Sequence, residues 1–156
     1  MDTTESNGSS HAKELCGKEF IGKPISYLYR YEQIYIGKKL EPYGIGSGQF
    51  PFLMRLYSED GINQESLSDY LKIDKGTTAR AIQKLVDENY VFRQRDERDR
   101  RSYRIFLSEK AKKLEPDMKK IASEWEDILF SSFDDSQRKE ITNSLEIMFE
   151  NVLKIM

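Results

Sequence analysis

The stretch from Asn63 to Leu107 constrains this 156-residue chain more than any other. It opens with Asn63-Gln64-Glu65-Ser66-Leu67-Ser68-Asp69-Tyr70-Leu71 and turns at Leu71-Lys72-Ile73-Asp74. A periodic segment then runs from Lys75 to Asn89. Within that segment Ala79, Ile82, Leu85 and Val86 recur at steps of three and four, the apolar stripe of a helix. Thr77, Arg80 and Lys84 recur at the same steps on another face, and all three are polar. Asp74 stands at the expected N-cap, and Asn89 stands where a left-handed residue commonly ends a helix. Asn63 is likewise placed to cap a short helix from Gln64 to Leu71, whose Leu67 and Leu71 face inward. The spacing predicts two short helices set across each other by a four-residue turn.

The next segment is rich in β-branched and aromatic residues. Tyr90-Val91-Phe92-Arg93-Gln94-Arg95 and Ser102-Tyr103-Arg104-Ile105-Phe106-Leu107 read as two strands. Between them lies Asp96-Glu97-Arg98-Asp99-Arg100-Arg101, with no apolar residue, so the pair reads as a hairpin with a charged tip. From Arg93 to Arg104 six arginines face three acids, a net +3 over twelve residues in a chain whose formal charge is −2. A net-acidic chain that concentrates arginine on one hairpin points to an anionic partner. The polar helix face beside it points to DNA.

Helix, turn, second helix, and a hairpin carrying Asp99-Arg100-Arg101 and ending Leu107-Ser108-Glu109-Lys110-Ala111 resemble the MarR family of transcriptional regulators. The likeness runs from about Pro24 onward, and the Asp-Arg-Arg run is its most specific part. The sequence departs at Asn89, where the family usually has glycine; asparagine tolerates the same conformation. The resemblance implies a mainly α (α+β) fold: a winged helix-turn-helix with a two-stranded wing, plus terminal helices forming a dimerisation region. It implies a homodimeric, sequence-specific regulator on a pseudo-palindromic duplex, a repressor or an activator, modulated by a small-molecule effector of the kind, often aromatic, that family members sense. No cofactor, metal or catalytic residue is implied. The wing arginine of the family enters the minor groove, and the matching candidates are Arg101 and, nearer the tip, Arg98, with Arg100 between them. Asp99 matches the aspartate that pairs with an arginine and holds the wing in shape.

Side-chain chemistry assigns the remaining contacts. Arg80 and Lys84 have the reach and donors for guanine O6 and N7. Thr77 and Thr78 suit phosphate or a thymine methyl, and Lys75 and Ser68 suit phosphate. Two half-sites would lie about one helical turn (roughly 10 bp) apart.

These features divide the chain into a flexible, polar tail at 1–22, a helical dimerisation region at 23–60 and 108–156, and a DNA-binding lobe at 61–107. Charged residues make up 33% and mean hydropathy is −0.70, and no run of about 18 apolar residues offers a membrane span. The N-terminus lacks a secretory pattern. The single cysteine, Cys16, cannot form an internal disulfide, which fits the cytoplasm. His11, the sole histidine, lies in the tail without companions for a metal or catalytic site.

Pro24 to Leu40 reads as the first long helix, with Ile25, Leu28, Ile34 and Tyr35 as its buried face. Tyr27, Tyr31 and Tyr35 either pack at an interface or line an effector pocket. Pro42 to Gly48 breaks the chain, and a helix from about Ser47 to Tyr57 comes after it with Phe50, Leu53, Met54 and Tyr57 inward. Gly46 and Gly48 lack the strand and third glycine of a phosphate loop. A helix from Glu109 steps through Ala111, Leu114, Met118, Ile121, Trp125 and Ile128, and Pro116 inside it predicts a kink. The last helix, from Asp134 or Asp135, carries a heptad-like seam of Ile141, Leu145, Met148, Val152 and Ile155. That seam either packs on the preceding helix or forms a dimer interface with the first helix of a partner copy.

Two other classes compete. A winged-helix module that binds protein through its basic wing predicts no salt-sensitive affinity for duplex DNA. An enzyme would have to rely on Cys16, with no histidine in the folded part to activate it. The family's redox cysteine would fall near Gly22, so redox sensing by that route is not expected of Cys16.

Overall fold

The computed structural model describes the backbone of residues 4–17 and 20–156, and side chains from residue 10 onward apart from 18 and 19. Seven α-helices and one small sheet are found among these residues. In order they are α1 (Thr4–Leu15), α2 (Gly22–Leu40), a 3₁₀ turn (Glu41–Tyr43), α3 (Phe50–Ser58), β1 (Ile62–Asn63), α4 (Gln64–Leu71), α5 (Lys75–Asp87), β2 (Val91–Arg95), β3 (Tyr103–Leu107), α6 (Glu109–Leu129) and α7 (Asp135–Leu153). The mainly helical winged helix-turn-helix class is the one expected. None of the described helices is long and apolar enough to cross a membrane.

Local chemistry sets the element boundaries in the lobe. Asn63 Oδ1 accepts the Glu65 N–H at 2.8 Å, and Asp74 Oδ1 accepts the Thr77 N–H at 2.8 Å. Each satisfies a donor that the first turn of a helix leaves unpaired. Lys72 closes α4 with φ 54° and Asn89 comes after α5 with φ 59°, both left-handed. Ser108 caps α6, its Oγ accepting the Ala111 N–H at 3.1 Å.

The wing is the expected two-stranded hairpin, and a third strand joins it in the sheet. β1 adds to the hairpin in the order β1-β3-β2, with Ile62 opposite Ile105 and Asn63 opposite Arg104. A two-residue strand is too short to show alternation. Gly61, at φ 73°, turns the chain into it, and a Cβ there would lie 2.5 Å from the Phe106 ring. In the hairpin Val91 pairs with Leu107, Arg93 with Ile105 and Arg95 with Tyr103.

The core lies where α3 passes between the helix-turn-helix and α6. Phe52, Leu53, Leu56, Leu67, Ile82, Leu85, Ile105 and Met118 are its most enclosed members. Only the C-terminal end of α2 joins it, through Ile36 and Leu40. The expected buried face of α2 is therefore corrected in part: Ile25, Leu28 and Ile34 are exposed by 46%, 52% and 54%, while Tyr35 is half-buried against the core. The helix extends beyond the core, and periodicity reveals an apolar face without revealing what covers it.

The N-terminal region is also corrected. Thr4–Leu15 is helical, not a structureless tail, although its described side chains are exposed or half-buried as polar composition requires. Residues 1–3 and 18–19 of the expected tail lie outside the described residues. α3 begins at Phe50, three residues later than expected, because residues 47–49 form a turn. α6 continues as helix through Pro116.

α7 starts in a reciprocal capping box, Asp134 Oδ1 accepting the Gln137 N–H and Gln137 Oε1 accepting the Asp134 N–H. None of its residues is buried among the described residues. Leu145, Met148 and Val152 are 51%, 40% and 49% exposed, and so are their neighbours Ile147 and Phe149 at 58% and 62%. Ile155, expected to close the seam, lies beyond the helix end at Leu153.

Candidate nucleic-acid interface

α5 presents the expected polar face. Thr77 is half-buried, and Arg80 and Lys84 are exposed one and two turns further on. Arg80 Nη2 donates to Thr77 Oγ1 at 2.9 Å, which turns the guanidinium toward the start of the helix. Hydrogen bonds from Thr77 hold the Asp74 carboxyl below the usual carboxylate range, so the cap is charged at neutral pH. Lys75 pairs with Glu65 of α4, and its ammonium is raised above the usual lysine value by that hydrogen bond. A phosphate at Lys75 therefore has to compete with Glu65.

Two expected contacts are corrected. Ser68 is 4% exposed and Thr78 is 1% exposed. Both hydroxyls point inward to one carbonyl: Ser68 Oγ donates to Ile73 O at 2.5 Å, and Thr78 Oγ1 reaches the same oxygen at 3.5 Å. The Ile73 N–H returns to Ser68 O at 3.1 Å. These residues brace the turn between α4 and α5 with their hydroxyls engaged inward, and both also line the cavity between the helices and the wing.

The six arginines of the hairpin divide into two groups. Arg93 turns toward the helices. Arg95 Nη1 donates to Arg100 O at 2.5 Å and its guanidinium lies 5.3 Å from the Tyr103 ring centre. Arg104 Nε donates to Gly61 O at 2.7 Å and lies 3.9 Å from Asp96. These three hold the wing together. Arg98, Arg100 and Arg101 are exposed at its tip. Arg101 has the Asp99 carboxylate 3.7 Å from Nε, with the side chain 96% exposed.

Asp99 Oδ1 also accepts the Arg101 N–H at 3.0 Å, and Asp99 O accepts the Ser102 N–H at 2.9 Å. Asp96, which the sequence pattern does not single out as Asp99 is, is equally engaged. Its Oδ1 accepts the Arg98 N–H at 2.8 Å and the Asp99 N–H at 3.3 Å. Those two hydrogen bonds, with Arg104 and Arg98 nearby, hold its carboxyl below the usual range. An aspartate two residues before a free N–H at a loop start is an Asx-turn signal, and the sequence carries it.

α4, the start of α5 and the tip end of the wing border an open cavity of about 250 Å³, whose lining includes Glu65, Ser68, Lys75, Thr78, Arg101 and Tyr103. Lys75 and Arg101 thus share one concave seam, although they are 26 positions apart in the chain. The tyrosines of α2 lie elsewhere. Tyr35 packs on Trp125 with ring centres 5.4 Å apart and its hydroxyl donates to Glu124 at 3.3 Å. Arg30 lies over Tyr27, and Tyr31 is exposed.

Comparison with known proteins places the sequence and the fold in one family. The profile of the MarR family matches residues 45–103. The HTH-type transcriptional regulator YybA of Bacillus subtilis is 30% identical over 105 residues, 67% of this chain and 70% of that protein. The crystal structure of a MarR transcriptional regulator from Methanosarcina mazei Go1 superimposes with a TM-score of 0.86 at 90% identity, covering 89% of this chain and all of that one. A MarR family regulator from Listeria monocytogenes, solved with a 26mer DNA, has a TM-score of 0.80 at 25% identity, covering 86% of this chain and 89% of its own.

Proposed function

The chain belongs to the MarR family of helix-turn-helix transcriptional regulators, and on that premise we propose that it is a homodimer reading a pseudo-palindromic duplex site. The observation that carries this reading is the division of cationic side chains. Arg80 and Lys84 on α5, and Arg98, Arg100 and Arg101 on the wing, are exposed on one lobe. The neighbouring Arg93, Arg95 and Arg104 each donate a hydrogen bond within the fold, although Arg95 and Arg104 also remain exposed. α5 is the recognition helix, with Arg80 and Lys84 at base edges and Thr77 at the helix start. Arg101 and its neighbours Arg98 and Arg100 enter the flanking minor groove or track its phosphates. Lys75, released from Glu65, joins the phosphate contacts.

The second copy is argued from the apolar surface left uncovered. A helix the length of α7 is marginal in water without packing, and its apolar residues face solvent together with Ile25, Leu28 and Ile34 of α2. Ile141, Leu145, Met148 and Val152, continued by Ile155 past the helix end, meet this surface of a partner copy about a two-fold axis. Such an isologous interface matches the symmetry of a pseudo-palindrome. The aromatic side of α2, with Tyr27 and Tyr31 next to the Tyr35–Trp125 pair, is where a small aromatic effector would bear on the dimer.

Selection of bound fragments from a random duplex library tests the reading. A recovered motif with two inverted half-sites about one helical turn (roughly 10 bp) apart supports it. Recovery of no motif, together with binding indifferent to salt, favours a protein-binding wing instead.

A further inference from the structure

Arg93 lies on the inner face of β2, beside buried Val91 and opposite buried Ile105. An arginine so placed must find acceptors for its donors. It finds them on both helices of the reader. Nη1 donates to Gln83 Oε1 of α5 at 2.6 Å, Nε to Gln64 Oε1 of α4 at 3.3 Å, and Nη2 reaches Ala79 O of α5 at 3.5 Å. Gln83 is itself oriented, its Nε2 donating to Asp87 Oδ1 at 2.7 Å. Since guanidinium can only donate, the Gln83 amide has its oxygen toward Arg93 and its nitrogen toward Asp87. The planar fork thus ties the first strand of the hairpin to both helices at once.

We propose that Arg93 is a positioning residue: through Gln83 and Gln64 it locks the wing against α4 and α5, so that Arg101 and Arg80 meet the duplex as one rigid unit. The inference rests on the DNA-binding reading. It adds that Gln83, though exposed on the recognition helix, serves the wing and not a base.

The test has one readout without DNA and one with it. In a Cys16→Ser background, spin labels at Asp69→Cys on α4 and Glu97→Cys on the wing tip are measured after dilution into unlabelled protein, so that only pairs within one protomer report. A narrow distance distribution is expected with Arg93 present. A broader or displaced one is expected for Arg93→Ala, and also for Arg93→Lys, whose single ammonium cannot span both acceptors. Gln83→Ala, at an exposed position, should broaden the distribution in the same way and covers the case in which the Arg93 variants fold poorly. With DNA, Arg101→Ala should cost less affinity in the Arg93→Ala background than in the native one, by about 2- to 30-fold. An unchanged distribution in the Arg93 and Gln83 variants, or an equal cost of Arg101→Ala in both backgrounds, overturns the proposal. Should the protein with Arg93 intact bind no duplex, the DNA reading fails, while the distance measurement still decides whether Arg93 holds the wing.

Discussion

Replacing Ser68 with alanine separates a brace from a phosphate contact. The hydroxyl is 4% exposed and donates to Ile73 O at 2.5 Å. One such bond contributes about 0.5–1.5 kcal/mol net. Thr78 Oγ1 stands 3.5 Å from the same oxygen and offsets part of the loss, so about 1 kcal/mol is expected. For a chain of this size that is about 2–4 °C in Tm. Adding Thr78→Val removes the remaining side-chain donor and leaves the carbonyl to water alone. The double variant should lose more than the two single losses added, toward the range of about 1–3 kcal/mol for an unsatisfied acceptor. Thermal unfolding at fixed protein concentration measures this. Binding to a selected duplex, measured well below Tm, should stay within about twofold for Ser68→Ala, since no outward donor has been lost. An unchanged Tm accompanied by a loss of about fivefold in affinity, the equivalent of one hydrogen bond, would show that Ser68 faces the DNA after all.

Three further outcomes are expected. Leu145→Glu with Met148→Glu places charge in the proposed interface at a cost of several kcal/mol; sedimentation should show monomers or aggregates, and an intact dimer would remove α7 from the interface. Affinity for a selected duplex should fall steeply with salt, with a log–log slope of roughly −5 to −9 for about 6 to 10 phosphate contacts per dimer; a flat slope would contradict a cationic DNA-binding face. Glu32 has its pKa raised from 4.5 by burial and then by Glu126, so its contribution to stability is present below that ordinary value and lost as pH rises through the raised one. Glu32→Gln should therefore raise Tm at about pH 7 and lose that gain by about pH 4, and an equal gain at both pH values would exclude the linkage.

The parts of the fold legible in the sequence are those decided by local chemistry. Asn63 and Asp74 act as caps because a short side-chain acceptor beside a helix start needs only its own next two or three residues. Asn89 takes the left-handed conformation for a similarly local reason. The face of Thr77, Arg80 and Lys84 follows from helical spacing alone. Ser68 and Thr78 are not legible in this way, because small hydroxyl residues serve either side of a helix and their direction depends on a carbonyl brought near by the turn. The apolar residues of α2 mislead for a related reason. A periodic stripe needs a cover, and the chain's own core buries Ile36 and Leu40 and half-covers Tyr35 but leaves Ile25, Leu28 and Ile34 exposed. β1 escapes a sequence pattern because its pairing with β3 joins residues more than 40 positions apart. In the N-terminal segment polar composition foretells exposure but not the helix Thr4–Leu15, in which Gly8, Ser9 and Ser10 are weak helix formers.

The wing shows why a count of arginines misjudges a binding surface. Its net +3 suggests that every cation faces the ligand, yet hydrogen bonds tie Arg93, Arg95 and Arg104 to the fold. A guanidinium held by carbonyl or amide oxygens keeps its charge, so these three still contribute to the field that attracts a polyanion. Those hydrogen bonds restrict their freedom to track a phosphate or enter a groove, although Arg95 and Arg104 remain exposed. Arg98, Arg100 and Arg101 keep that freedom because Asp96 and Asp99 hold the tip by accepting its backbone N–H groups. The acids in the run therefore do more than dilute its charge. By satisfying the loop's own donors they fix the backbone from which the exposed arginines extend, and they do so with their carboxylate oxygens turned to the loop. Removing Asp96 would make the tip more positive and would also release its backbone. The affinity change in such a variant thus reports whether charge or shape limits the wing.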